Sequence, residues 1–330
     1  MPTATAISEL LSRLRSGDTR ALARAISLVE NDAAAAPALL SACFPYTGGA
    51  LRIGVTGAPG AGKSTLVDRL ARAFREAGKT VGVIAVDPTS PFTGGAILGD
   101  RIRFREHQSG APGDSGHLGD PGFYFRSMAT RGSLGGLALA TADVALVLEA
   151  SGKDVVLIET VGVGQDEIEI ARLADITLVV LVPGMGDDVQ SLKAGVMEIA
   201  DIFVINKSDR DGADRVEQEI RGLQSLATNP AERTPPVVRT VATTGEGLPT
   251  LSSALAELEQ WLRAGKQFAA RRTEHWQRRL DAMLRAELMR RARQNGFDAK
   301  VLAFHASRIA SGQQDPWQLV AQLTEKVFAP

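Results

Sequence analysis

Hydrophobic positions change their period twice along this chain. Across residues 7–44 they recur at helical spacing. Ile7, Leu10, Leu11 and Leu14 share one face, and Ala21, Leu22, Ala25, Ile26, Leu28 and Val29 share another after a Gly17-Asp18 break. Residues 45–49 carry the turn residues of a linker. From residue 51 short apolar runs take over, at 51–56, 81–86, 155–160, 176–182, 202–205 and 237–241. They show little polar alternation, as expected of parallel strands covered by helices on both faces. Helical patterns lie between them at 66–77, 134–150, 190–200 and 214–227. This alternation predicts an α/β domain with a doubly wound, mainly parallel sheet and ligands at the carboxyl ends of its strands.

The sheet pattern stops after Gly247. Residues 251–293 read as long helices, with Trp276, Leu280, Leu284 and Leu288 repeating every four residues and Met283 beside them. Two shorter helical patterns follow at 301–309 and 317–328. The chain thus divides into an N-terminal helical segment, 1–50, an α/β domain, 51–250, and a C-terminal helical region, 251–330, without an internal repeat. One stretch breaks the rhythm. Residues 93–136 hold 11 glycines in 44 residues and few strand or helix signals before their end. Such a segment reads as a functional mobile region, or else as a surface insertion.

Composition narrows the class. Hydrophobic residues make up 44% and charged residues 23%, with a net charge of −1. These are values of a soluble globular protein, with no global field drawing it to nucleic acid or membrane. The single cysteine, Cys43, excludes an intramolecular disulfide and fits a reducing compartment, so a cytoplasmic location is expected. Cys43 reads as a buried small residue rather than a nucleophile. His107, His117, His275 and His305 have no ligand spacing. Residues 263–293 carry ten Lys or Arg against three acids, read as a solvated basic face on a packing helix in preference to a nucleic-acid site, since no aromatic-interleaved binding module accompanies them.

The chemistry begins at Gly57-Ala58-Pro59-Gly60-Ala61-Gly62-Lys63-Ser64-Thr65, between a strand and a helix. This is the G-x-x-x-x-G-K-[ST] loop in its required context. Its amides and the helix N-terminus form an anion site, Lys63 brings positive charge to the β- and γ-phosphates, and the Ser64 hydroxyl can ligate Mg²⁺. Asn206-Lys207-Ser208-Asp209 follows a later strand. An aspartate there accepts from guanine N1–H and N2–H₂, a pair of donors that adenine lacks, which selects GTP over ATP. Asn206 braces the loop and the Lys207 stem can stack over the ring. After the next strand, Val241-Ala242-Thr243 offers the amides of Ala242 and Thr243 to the guanine carbonyl. Many GTPases have serine where Val241 stands.

Glu159 ends the strand at 155–160, where a carboxylate can hold Mg²⁺ or one of its waters. Gly162 is placed to donate its amide to the γ-phosphate. Asp87 and Asp100 are further candidate Mg²⁺ carboxylates, with a helix cap or turn as the alternative for each. Gln165 lies too far beyond Gly162 for the water-positioning glutamine of small GTPases and reads as a loop residue. Arg101, Arg103 and Arg105 are candidates to approach phosphate.

With these residues the chain resembles the MeaB/ArgK family, the G-protein metallochaperones of cobalamin-dependent acyl-CoA mutases. The resemblance is carried by 57–65, Asp87-Pro88-Thr89-Ser90-Pro91, 93–101, 132–136, 159–165, 183–190 and 206–209. It implies a P-loop GTPase that uses Mg²⁺, binds GTP and GDP, and forms a homodimer through its C-terminal helices. It also implies that the protein gates adenosylcobalamin delivery to methylmalonyl-CoA mutase, or a related mutase, and protects that enzyme. Ser64 would be the direct Mg²⁺ ligand, supported by Asp87, Asp100 and Glu159, and a further switch would fall at 184–193. No D-x-H-x-x-G cobalamin signature occurs, so the partner would carry that cofactor. Val241 and the Gly- and polar-rich 108–120 depart from the family pattern. The rival readings are a P-loop kinase, which lacks a distinct acceptor base here, and a maturation GTPase for another metalloenzyme, which usually carries Cys/His ligands.

Overall fold

A computed structural model describes residues 4–31, 33–87, 120–129, 136–160, 172–184, 198–226, 233–295 and 297–328. These divide into two compact units, Met1–Arg272 and Thr273–Pro330. In the first unit the elements run α1 (Ala4–Arg15), α2 (Thr19–Glu30), α3 (Ala36–Cys43), β1 (Leu51–Gly57), α4 (Lys63–Glu76), β2 (Val81–Asp87), β3 (Phe123–Ala129), α5 (Gly136–Ala150), β4 (Val155–Thr160), β5 (Ile176–Leu181), β6 (Ile202–Asn206), α6 (Ala213–Leu226), β7 (Val237–Thr240) and α7 (Leu248–Ala264). Helix α8 (Gln267–Gln294) begins there, and the second unit adds α9 (Ala299–Ala310) and α10 (Pro316–Phe328).

The seven strands form one sheet in the order β3-β2-β4-β1-β5-β6-β7, with every pairing parallel. Each residue of β1, β4, β5 and β6 is buried, which explains why these strands read as unbroken apolar runs. One face packs on α4 and α7 through Leu66, Leu70, Leu251, Leu255 and Leu258. The other packs on α5 and the three N-terminal helices through Val144, Leu148, Leu22, Ile26 and Leu39. Helix α6 covers the β5–β6 end with Val216 and Ile220. The α1–α2 turn is set by Asp18, which accepts from the amides of Arg20 (2.8 Å) and Ala21 (3.1 Å) at the head of α2.

The sequence reading missed β3. It lies inside the glycine-rich stretch, beside Gly122, and runs Phe-Tyr-Phe-Arg-Ser-Met-Ala at the sheet edge. Its aromatic run was the available signal. Phe123 and Phe125 face the α4 side, whereas Tyr124 and Met128 face the N-terminal helices. Cys43 is fully buried, and that burial pushes its thiol up to about 11.

The basic stretch 263–293 is only partly a solvated face. Arg278, Arg285, Arg290 and Arg291 pair with acids one turn away on the exposed surface of α8. Arg271 and Arg272 instead reach the amino ends of the central strands. Arg271 forks onto Asp201 (2.7 and 2.9 Å), and Arg272 onto Asp175 (3.0 and 3.1 Å). Asp175 also accepts from the Arg52 amide of β1 at 2.9 Å. Beside it the Arg52 side chain is buried against Glu149 of α5 at 2.5 Å. In the second unit, Leu280, Leu284, Phe304, Trp317 and Val320 are exposed. No helix among the described residues is long and apolar enough to cross a membrane.

The Asp175 junction joins β1, β5 and the start of α8 through charge-assisted bonds at a buried carboxylate. Asp175→Ala leaves the buried Arg52 amide without its side-chain acceptor and takes from the Arg272 guanidinium its carboxylate partner, leaving it the carbonyls of Gly48 and Ala50. It is expected to lower unfolding stability by about 3 kcal/mol. A urea titration checks this through its midpoint, and a loss below about 1 kcal/mol contradicts the role assigned to Asp175.

Candidate functional site

The carboxyl ends of β1, β4, β6 and β7 bring the candidate residues together. The chain leaves β1 at Gly57, turns through Ala58–Gly62 and enters α4 at Lys63. Gly57 has φ +136, and a Cβ there would stand 2.1 Å from the Val180 carbonyl oxygen of β5. Only glycine lets the loop leave the sheet at this point. Lys63 is buried, and its Nζ donates to the carbonyls of Gly57 (2.7 Å) and Ala58 (2.9 Å). The ammonium is therefore held inside the loop, where the amino end of α4 adds its own positive potential.

The turn after β6 is fastened to this loop. Asn206 is buried; its Nδ2 donates to the Ala61 carbonyl at 2.8 Å. Its Oδ1 accepts from the Ala242 amide at 3.0 Å and from the Thr240 hydroxyl at 3.2 Å. Lys207 adopts φ +55, the one positive φ outside glycine among the described residues, and its Nζ donates to the Gly60 carbonyl at 2.8 Å. The Lys207 stem thus runs back over the phosphate loop. Ser208 is tied through its amide and hydroxyl to the Thr240 carbonyl, both at 3.1 Å, and Asp209 stands exposed at the rim. The loop after β7 is closed by a Val241–Glu246 bridge. Ala242 and Val241 are buried and Thr243 is exposed. The Ala242 amide is engaged by Asn206, which leaves less for a base to use there than the sequence suggested.

At the other end of the loop, Ser64 Oγ donates to Glu159 Oε1 at 2.6 Å. Both groups are hard oxygen donors, the chemistry Mg²⁺ takes. Mg²⁺ usually retains waters and uses one or two protein groups beside phosphate oxygens, so this pair fits the ion without a larger cluster. Thr160 and Thr56 join β4 to β1 just behind it, hydroxyl to hydroxyl at 3.2 Å. Asp87 ends β2, and its side chain lies outside the described residues, as do Asp100, Gly162, Gln165, the arginines 101, 103 and 105, His107 and His117. Residues 185–193 of the expected further switch lie outside them too. His305 bonds Gln314 at 2.8 Å and His275 packs edge-on to Trp276; both belong to the helical tail.

One residue escaped the sequence reading. Arg69 of α4 donates from Nε to the Ala242 carbonyl (3.1 Å) and from Nη2 to the Thr243 carbonyl (2.6 Å). Nothing in the sequence marks it, since an arginine on an amphipathic helix reads as solvent-facing.

The family model described as methylmalonyl-CoA mutase-associated GTPase MeaB matches residues 22–296. The chain belongs to the MeaB family. A Pyrococcus horikoshii relative assigned as a GTPase is 51% identical over 271 residues, covering 81% of this chain and 82% of that one. The mouse protein named methylmalonic aciduria type A homolog, mitochondrial, is 37% identical over 229 residues, covering 68% of this chain and 53% of the mouse protein. The crystal structure titled LAO/AO transport system kinase superposes with a TM-score of 0.70 at 26% identity, covering 100% of both chains. This MeaB-family protein is accordingly a P-loop GTPase, and the doubly wound parallel sheet expected from its sequence is its fold.

Gly62 tests the fastening of the loop. It has φ +86, and a Cβ there would lie 2.5 Å from Asn206 Nδ2. Gly62→Ala is expected to weaken GDP binding by at least about fivefold, since one strained residue costs on the order of 1–3 kcal/mol. Calorimetric titration checks this, and unchanged affinity contradicts the geometry assigned to the Asn206 bridge.

Proposed function

We propose that this GTPase is a nucleotide-timed chaperone of a cobalamin-dependent acyl-CoA mutase. It gates adenosylcobalamin delivery to methylmalonyl-CoA mutase or a related enzyme and protects that enzyme from inactivation. The observation carrying this reading is the family match over 22–296, whose description names association with that mutase. The name of the mouse relative points to the same metabolism. The cobalamin belongs to the partner, because this chain has no D-x-H-x-x-G signature.

The geometry of the phosphate loop, Glu159 and the Asn206–Asp209 turn supports the following roles, and the family resemblance supports those of Asp87, Asp100 and Gly162. Loop residues Gly57, Ala58, Pro59, Gly60, Ala61, Gly62, Lys63, Ser64 and Thr65 cradle the phosphates of GTP or GDP, with Lys63 supplying charge. Ser64 and Glu159 hold Mg²⁺, with Asp87 and Asp100 in support, and Gly162 donates its amide to the γ-phosphate. When bound, the metal neutralises charge that develops on the phosphates. Asp209 accepts from guanine, with Asn206, Lys207, Val241, Ala242 and Thr243 shaping its surroundings. Residues 1–50 cover the sheet, 51–250 form the nucleotide engine and 251–330 mediate a homodimer. The protein works in the cytoplasm, with the mutase and its own second copy as partners rather than nucleic acid or membrane. Hydrolysis by the isolated chain is slow and rises when the partner completes the site.

A pull-down of purified methylmalonyl-CoA mutase by this protein tests the reading. Retention is expected to differ at least about fivefold between a non-hydrolysable GTP analogue and GDP, the size of an ordinary coupling between sites. Mutase is expected to accelerate GTP turnover. Equal retention in both states with unchanged turnover contradicts the timer. Phosphoryl transfer to an acceptor other than water favours the kinase alternative.

A further inference from the structure

Arg69 of α4 closes its guanidinium on the loop after β7, and the bonds around that loop define what it does. Its Nε and Nη2 take two successive carbonyls, those of Ala242 and Thr243. A planar guanidinium suits this, because its donors diverge in a fixed fork. The same loop engages its amides elsewhere. Ala242 N–H donates to Asn206 Oδ1, and the amides of Thr244 (3.1 Å) and Gly245 (2.9 Å) both donate to the Val241 carbonyl. Across residues 242–245 this leaves the Thr243 N–H as the amide without an acceptor among the described residues.

That amide shares a peptide plane with the Ala242 carbonyl. In a trans peptide the C=O and N–H point in opposite directions. Drawing the Ala242 carbonyl toward α4 therefore turns the Thr243 N–H away from α4. We infer that Arg69 is a positioning residue for purine recognition. It aims the Thr243 amide at the 6-carbonyl of the base, and α4 thereby sets the phosphate loop with its first turn and the base loop with its second. The inference rests on the guanine reading of Asp209 and deepens it. Asp209 accepts from the N1 and N2 side of the ring, whereas the Thr243 amide donates to the O6 side. Adenine carries an amine at that position, so a donor aimed there rejects it.

Competition against a fluorescent GDP, using the full chain, separates these contributions. The competitors are GDP, IDP and ADP. Hypoxanthine keeps the 6-carbonyl and N1–H of guanine but lacks its N2 amine. Arg69→Gln is expected to weaken GDP and IDP by the same factor, about tenfold, the scale of a lost charge-assisted hydrogen bond. ADP affinity and the melting temperature are expected to stay where they are. Arg69→Lys, whose donors sit on a single nitrogen in place of the planar fork, is expected to recover part of the loss. Asp209→Asn is expected to weaken GDP more than IDP, the opposite pattern. Unchanged GDP affinity in Arg69→Gln overturns the inference. An equal loss for GDP, IDP and ADP also overturns it, because that marks a general loosening of the fold. Equal affinity of the unaltered protein for GDP and ADP overturns the guanine reading itself, and this inference falls with it before any variant is made.

Discussion

One side-chain amide joins the two halves of the nucleotide site. Asn206 donates to the Ala61 carbonyl of the phosphate loop and accepts from the Ala242 amide of the loop after β7. It is buried, so neither bond can be exchanged for water without leaving a polar group stranded. Gly62 has to be glycine because Asn206 occupies the space a Cβ would need, and Lys207 takes a left-handed conformation that lets its stem return to Gly60. The phosphate loop and the loop after β7 are consequently coupled through Asn206, with Lys207 as a second tie to the phosphate loop.

The sheet makes this bridge possible. Strands β1 and β6 are separated by β5 alone, so the loops at their carboxyl ends meet. Glu159 arrives from β4 on the other side of β1 and meets Ser64. At the opposite end of the strands, Asp175 and Asp201 tie the amino ends of β5 and β6 to the start of α8. The strands are thus tethered by charge at one end and present their loops at the other, which is the arrangement a switch between nucleotide states requires of its fixed part.

What the sequence disclosed follows the range of the interactions. The phosphate loop, the Asn206–Asp209 turn and six of the seven strands are local patterns of residues 51–241, and they were legible as such. Strand β3 was hidden because glycines surround it and it pairs on one side only. Arg271 and Arg272 looked like solvated surface because their acids lie 70 and 97 residues away. Arg69 was hidden for the same reason, with its carbonyls 173 and 174 residues distant. Asp100 and Gly162 fall outside the described residues, so their roles rest on the resemblance.

If Asn206 couples the two halves of the site, its removal must weaken both. The direct measurement is the affinity of Asn206→Ala for pyrophosphate, which probes the phosphate loop alone, beside its preference for GDP over ADP. Both are expected to fall, each by about tenfold, the scale of one lost buried hydrogen bond. A variant that loses its guanine preference while binding pyrophosphate as tightly as the unaltered protein would show that the halves act independently, and would contradict the account.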